Sequence, residues 1–181
     1  MPTVPIQRRN PMRRVPFRRS VLDPRRANNF LDSCAFDPKD SPEHEAAQTI
    51  RALGNEGKVT LTVTHSNMKE IDHPNTPTDV KRAAMEMIYT IKTTLIPEEE
   101  SRRVRIHAIL TGNGDPGKYA ADAAHVFEAG KYVGYFITTD KRILAKRQDL
   151  MEASSATIVR PTEWLDFFRD AAEAKPAHQA D

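Results

Sequence analysis

The sequence predicts an α/β protein, with helices on both faces of a central, mostly parallel sheet in a three-layer α/β/α arrangement. Three observations lead there. Short apolar runs of strand length alternate with longer segments patterned for helices, which is the rhythm of β–α–β units. One run, Tyr132-Val133-Gly134-Tyr135-Phe136-Ile137, is almost continuously apolar, as a strand covered on both faces must be. The chain has 181 residues, 39% hydrophobic and 29% charged, enough for one ordinary domain and too few for two. The domain is expected over residues 28–173, between an Arg/Pro-rich arm at 1–27 and a short tail at 174–181.

Each element follows from local chemistry. Phe30-Leu31 is a short strand running into Asp32. Ser41 is a good N-cap with Pro42 at the first helical position, Ala46, Ala47, Ile50 and Leu53 give that helix an apolar face, and Gly54 is read as its stop. Val59, Leu61 and Val63 alternate at strand spacing. A short helix over Ser66 to Asp72 ends before Pro74, and Thr78 caps a longer helix with Ala84, Met87, Ile88, Ile91 and Leu95 on one side. Val104, Ile106 and Ala108, extended by Ile109 and Leu110, read as a third strand. Gly117 to Ala129 reads as helix with Gly130 after it, and the Tyr132–Ile137 strand follows. Arg142 to Met151 is expected to be helical and Thr157–Val159 a strand, and Pro161 opens a last helix carrying Trp164, Leu165, Phe167 and Phe168.

Charge divides the chain. The net charge is +2, but residues 1–26 hold eight arginines against the single acid Asp23, a charge of +7, while the remainder carries 19 basic and 24 acidic residues, a charge of −5. Five prolines and repeated like charge predict a disordered arm. Its arginine pairs suit nucleic-acid phosphates and salt-sensitive binding, and the plainer reading is a solubilising or vestigial extension. Its prolines spoil the amphipathic helix of an organellar presequence. No apolar stretch approaches the ~18 residues that span a bilayer, and the start lacks the apolar core of a signal peptide. The single cysteine, Cys34, excludes an internal disulfide and a cysteine-rich zinc site, so a reducing cytoplasm is expected.

Ligands of open α/β sheets bind beyond the carboxyl ends of the strands, so the acids there carry the functional argument. Asp32 directly follows the first strand and Asp140 the covered one. Glu70 and Asp122 fall early in helices that follow strands, which puts them at the same edge. Clustered carboxylates repel each other and lose solvation, so the assembled group needs a cation. Magnesium prefers oxygen ligands and keeps waters, and one or two such ions activate water against a phosphodiester. Each acid also has a plainer reading: Asp140 as an N-cap, Asp32 as a turn cap, Glu70 as a solvated helix residue, and Asp122 as a residue stabilised by the helix dipole.

The order of these segments resembles the PIN domain family. The resemblance is carried by FLDS, NMKEI, ADAAHVFEA and FITTDKRIL, with IVRPTEWLDFF as a closing strand and helix, and it covers about residues 28–170. It implies a PIN-like fold and a Mg2+- or Mn2+-dependent endoribonuclease, often the toxin of a bacterial toxin–antitoxin pair. Asp32, Glu70, Asp122 and Asp140 would be the metal-binding acids. Ser33 and His125 match positions that contact substrate or water, although for His125 packing is the simpler role. Lys141 and Arg142, beside Asp140, would hold the RNA backbone, or are surface residues opening a helix. An antitoxin partner and a homodimer are further implications. The arm is extra to compact toxins, and the segment from Pro74 to Ser101 is free to be arranged differently from theirs.

Other chemistries fit less well. TGNGDPGKY (residues 111–119) imitates a phosphate-binding loop, but Tyr119 stands where a magnesium-binding hydroxyl belongs. Asp115-Pro116 reads better as an N-cap followed by proline. A phosphatase with an aspartate nucleophile wants a second Asp two residues after Asp32, where Cys34 stands. A non-cleaving RNA-binding module is the remaining alternative.

Overall fold

Side chains alternate along a strand, so Phe30, Phe136 and Ile158 enter one apolar layer while Leu31, Ile137 and Val159 enter another. They belong to β1 (Asn28–Leu31), β4 (Tyr135–Ile137) and β5 (Thr157–Val159), which with β2 (Thr60–Val63) and β3 (Ile88–Tyr89) form one sheet in the order β3-β2-β1-β4-β5. Every pairing is parallel, and the register aligns Phe30 with Phe136 and Phe136 with Ile158. The computed structural model describes residues 22–36, 41–76, 78–85 and 87–173, except the side chains at 35–36, 69–70, 79–80 and 83. Of the arm expected to be disordered at 1–27, residues 1–21 lie outside the described residues, as does the tail from 174. Residues 22–27 instead pack on the domain, with Leu22 and Ala27 against the layer of Leu31 and Ile137, Leu22 O accepting from Tyr135 Oη at 2.6 Å and Arg25 Nη2 donating to Phe168 O at 3.2 Å.

The two sheet faces are covered by different helices. On the first, Ile106 and Leu110 of α4 (Pro97–Thr111), Val126 and Phe127 of α5 (Ala120–Lys131) and Leu150 of α7 (Arg147–Ser154) close over Phe30 and Phe136. On the second, Ala47 and Ile50 of α1 (Pro42–Asn55) meet Trp164 and Leu165 of α8 (Pro161–Glu173) over Leu31 and Ile137. A fully buried side chain such as Ile50 or Leu150 contributes roughly 1.5–3 kcal/mol, so these layers hold the fold. One polar residue enters the second layer with its bonds satisfied: Asn29 accepts from Trp164 Nε1 at 2.8 Å and donates to Pro24 O at 2.9 Å. The three-layer α/β/α expectation therefore describes this chain. Among the described residues no helix is long and apolar enough to cross a membrane.

The segment from Thr78 to Thr111 departs from the sequence reading. The expected long helix stops early as α3 (Thr78–Met85), and the third strand is Ile88–Tyr89, not Val104–Leu110. Residues 88–96 carry Ile88, Thr90, Ile91, Thr93, Thr94 and Ile96, and β-branched side chains lose rotamer freedom in a helix. Residues 97–111 have Pro97 at the first position and Glu98, Glu99 and Glu100 in the first turn, where the helix dipole favours them. Glu99 Oε2 also accepts from Ile96 N at 3.2 Å. The alternation of Val104, Ile106, Ala108 and Leu110 hid a helical pair, because Ile106 and Leu110 are four apart and buried while Val104 is exposed.

Smaller departures have the same character. α1 runs through Gly54, and the residue with positive φ is Gly57. Gly130 lies inside α5. The expected Arg142–Met151 helix is two helices, α6 (Lys141–Ala145) and α7, broken at Lys146.

Candidate active site

From β1 the chain builds β2 and β3 on one side, then crosses to β4 and β5 on the other. The order therefore reverses between β1 and β4, and such a switch point opens a crevice beyond the carboxyl ends of its two strands. Asp32 is the first residue past β1; Thr138, Thr139 and Asp140 are the first three past β4. The ladder continues into this crevice, since Asp32 N donates to Ile137 O and Thr138 N to Val159 O, both at 3.0 Å.

Asp32 is buried at 6% exposure and held firmly. Thr138 Oγ1 donates to its Oδ2 at 2.6 Å, and the Cys34 thiol donates to the same oxygen at 3.1 Å. Thr138 Oγ1 also accepts from Asp140 N at 3.0 Å, so one hydroxyl spaces the two strand ends. Burial, and then the Asp32 charge, push the Cys34 thiol up to about 12, which keeps it protonated and able to donate.

Asp140 does cap α6, as its plainer reading anticipates: its Oδ1 accepts from Arg142 N at 2.7 Å and Ile143 N at 3.3 Å. The Arg142 side chain bonds the same carboxylate, Nε to Oδ1 at 3.3 Å and Nη2 to Oδ2 at 2.7 Å. Burial would raise the pKa of Asp140, but these Arg142 and backbone hydrogen bonds prevail and hold it below its ordinary value.

Asp122 sits in the first turn of α5 and projects into this neighbourhood, with Arg142 Nη2 reaching its Oδ2 at 3.4 Å. The same guanidinium lies over the Tyr119 ring, 5.2 Å from its centroid. Burial raises the pKa of Asp122; Arg142 opposes this, the negative charges of Asp32 and Asp140 add to it, and His125 opposes it. Asp122 thus feels the charges of Asp32 and Asp140, though all three are remote in sequence. Their oxygen-only donor set suits a hard divalent ion such as Mg2+ or Mn2+ in kind and in charge. Among the described residues no three His, Cys, Asp or Glu side chains are already gathered as a metal cage.

The other candidates fall variously. Glu70 lies in α2 (Met68–Ile71), and the expectation for its carboxylate falls outside the described residues. Ser33 is half-buried in the 3-10 turn Ser33–Phe36, and Lys141 is exposed at the start of α6. His125, one turn beyond Asp122, is 1% exposed, and its Nε2 has no hydrogen-bond partner among the described residues. The loop at 112–118 follows helix α4 where a phosphate-binding loop needs a strand, and Asp115 caps the next turn by accepting from Gly117 N at 2.9 Å. A groove of about 510 Å³, lined by His65, Ile91, Phe127, Glu128, Lys131 and Tyr132 among others, includes none of Asp32, Asp122 and Asp140. The candidate site is an open sheet edge.

Two supports escaped sequence reasoning. Thr138 holds Asp32, and its position as the first residue past a buried strand was the available signal. Glu128 accepts from Ser66 N at 3.1 Å and from Thr90 Oγ1 at 2.8 Å, tying α5 to the ends of β2 and β3, where the turn leading to Glu70 begins. A carboxylate two turns beyond Asp122 reads as surface until the topology is known. A scan against protein-family models returns no match for this chain, and searches of curated proteins and of solved structures return no significant match either.

Proposed function

We propose that this chain is a Mg2+- or Mn2+-dependent endoribonuclease of PIN type, acting on single-stranded or structured RNA. The observation that supports it best is the placement of Asp32 and Asp140 at the ends of β1 and β4, the switch point of the sheet, with Asp122 joined to Asp140 through Arg142. A bound divalent ion would supply Lewis acidity and a water of lowered pKa. Asp32, fixed through Thr138 and Cys34, and Asp140, fixed by the α6 amides, hold their carboxylates in place for an ion. Burial and the neighbouring acids disfavour the charged form of Asp122, so it gains from a cation. The reading gives Glu70 the fourth carboxylate. Lys141 and Arg142, cations opening α6 beside these acids, are suited to hold RNA phosphates. The toxin form of the reading adds a cognate antitoxin and a homodimer.

Incubating the full chain with single-stranded RNA and Mn2+ tests it. Cleavage should be lost in EDTA and fall by about 100-fold or more in Asp122→Asn. Cleavage that survives either treatment would refute the assignment, and RNA binding without cleavage would mark a non-catalytic binding module instead.

A further inference from the structure

Among Asp32, Asp122 and Asp140 the structure seats a cation of its own. The Arg142 guanidinium contacts both carboxylate oxygens of Asp140 and one of Asp122, and rests against Tyr119, with its side chain 48% exposed on the other side. A divalent ion held by Asp122 and Asp140 would meet this guanidinium, whose Nη2 now contacts Oδ2 of each. A divalent ion and a guanidinium held on the same pair of carboxylates repel each other, so the two cations compete for Asp122 and Asp140. The guanidinium is also free to leave: it is on a long side chain, faces solvent, and its backbone amide keeps its own bond to Asp140 Oδ1 at 2.7 Å. The cap of α6 therefore survives departure of the side chain.

We infer that Arg142 is an internal counter-cation that a divalent ion displaces, and that the freed guanidinium then takes a phosphate of the RNA. This rests on the nuclease reading above. In the ion-free protein Arg142 relieves the repulsion among the acids, which would otherwise oppose folding at this edge. On ion binding the same positive charge is released beside the site, where a bidentate contact to a phosphodiester replaces the one to Asp140. The device makes substrate affinity depend on the metal without any movement of the backbone.

One variant gives opposite signs in two measurements. In calorimetric titrations with Mn2+ and no RNA, Arg142→Gln should bind the ion about fivefold more tightly than the parent, because a partly exposed competitor has been removed. In cleavage assays at saturating Mn2+, the same variant should raise KM for a single-stranded RNA by about tenfold, because a charge-assisted phosphate contact is lost. Arg142→Lys, which keeps the charge without the fork, should lie between the two in both. Thermal melting of each variant checks that the fold is retained, as expected for a half-exposed side chain. Mn2+ affinity that is unchanged or weaker in Arg142→Gln overturns the displacement, and an unchanged KM overturns the phosphate contact. If neither the parent nor Arg142→Gln binds Mn2+, the nuclease reading itself fails and this inference goes with it.

Discussion

At the scale of single residues, the three acids are not equivalent, and pH separates them. Asp140 titrates below its ordinary value and Asp122 above the ordinary 3.8. For Asp122 the folded chain therefore holds its proton to higher pH than the unfolded chain does. Stability from this group falls as pH rises from about 3.8 through the folded pKa, and the penalty is complete above it. Asp140 has the opposite sign: its contribution is present above the unfolded pKa and is lost as pH falls through the depressed folded one. Asp122→Asn removes the penalised charge while keeping the shape, so it should melt at a higher temperature than the parent at pH 7 in metal-free buffer. The gap should narrow as the pH is brought below 4. A variant that melts lower than the parent at pH 7 would mean that the contact with Arg142 outweighs the cost of burial together with the repulsion from Asp32 and Asp140. A carboxylate that costs stability until a cation arrives is what a metal ligand should be, whereas a surface acid would show no gap at any pH.

At the scale of elements, the site depends on how α5 is tied to the sheet. The Glu128 carboxylate bonds Ser66 N and Thr90 Oγ1, and Thr90 Oγ1 also accepts from His65 N at 2.7 Å, so one acid fastens the ends of β2 and β3 to the helix that carries Asp122. Glu128→Ala should destabilise the fold by about 1–3 kcal/mol, leaving an amide and a hydroxyl without their acceptor. It should also speed hydrogen exchange at the Ser66 amide specifically, and an unaltered Ser66 exchange rate would show that the tie carries no load. This tie was invisible in the sequence because β3 itself was misplaced. The helical face drawn through Met87, Ile88, Ile91 and Leu95 continued the period of Ala84, and nothing in the spacing marked the end of α3 at Met85. The signal that was present is compositional, the run of β-branched residues from Ile88 to Ile96, and it competes with periodicity in a short window. By contrast, α1 and α8 were legible because two signals coincided in each: Ser41 with Pro42, and Pro161 ahead of Trp164 and Leu165. The apolar run at 132–137 marked β4 but overran it, since the strand is Tyr135–Ile137 and Val133 is exposed.

At the scale of the whole molecule, topology made the placement of two candidate acids legible where secondary structure failed. Asp32 and Asp140 needed only to follow two neighbouring parallel strands, and that held whichever segment supplied β3. Arg142 as a bridge between Asp122 and Asp140 could not be read, because it requires the approach of α5 to α6, which spacing does not encode. The same scale raises an electrostatic problem. Residues 27–181 carry a net −5, and the proposed site gathers acids at one edge, so an RNA approaching the body is repelled. The first 26 residues carry +7 and reverse that balance for the full chain. Removing residues 2–20 deletes Arg8, Arg9, Arg13, Arg14, Arg18 and Arg19. If those arginines engage phosphates, each lost contact should flatten the slope of log K against log salt by about 0.7 for a single strand. Three such contacts would flatten it by about 2, and KM for RNA should rise at low salt while kcat at saturating RNA is kept, since no proposed ligand of the ion is touched. Binding curves for the full and shortened chains across a salt series decide the matter. Parallel lines of equal slope would make the arm a passive extension and leave the attraction of RNA to α6 alone.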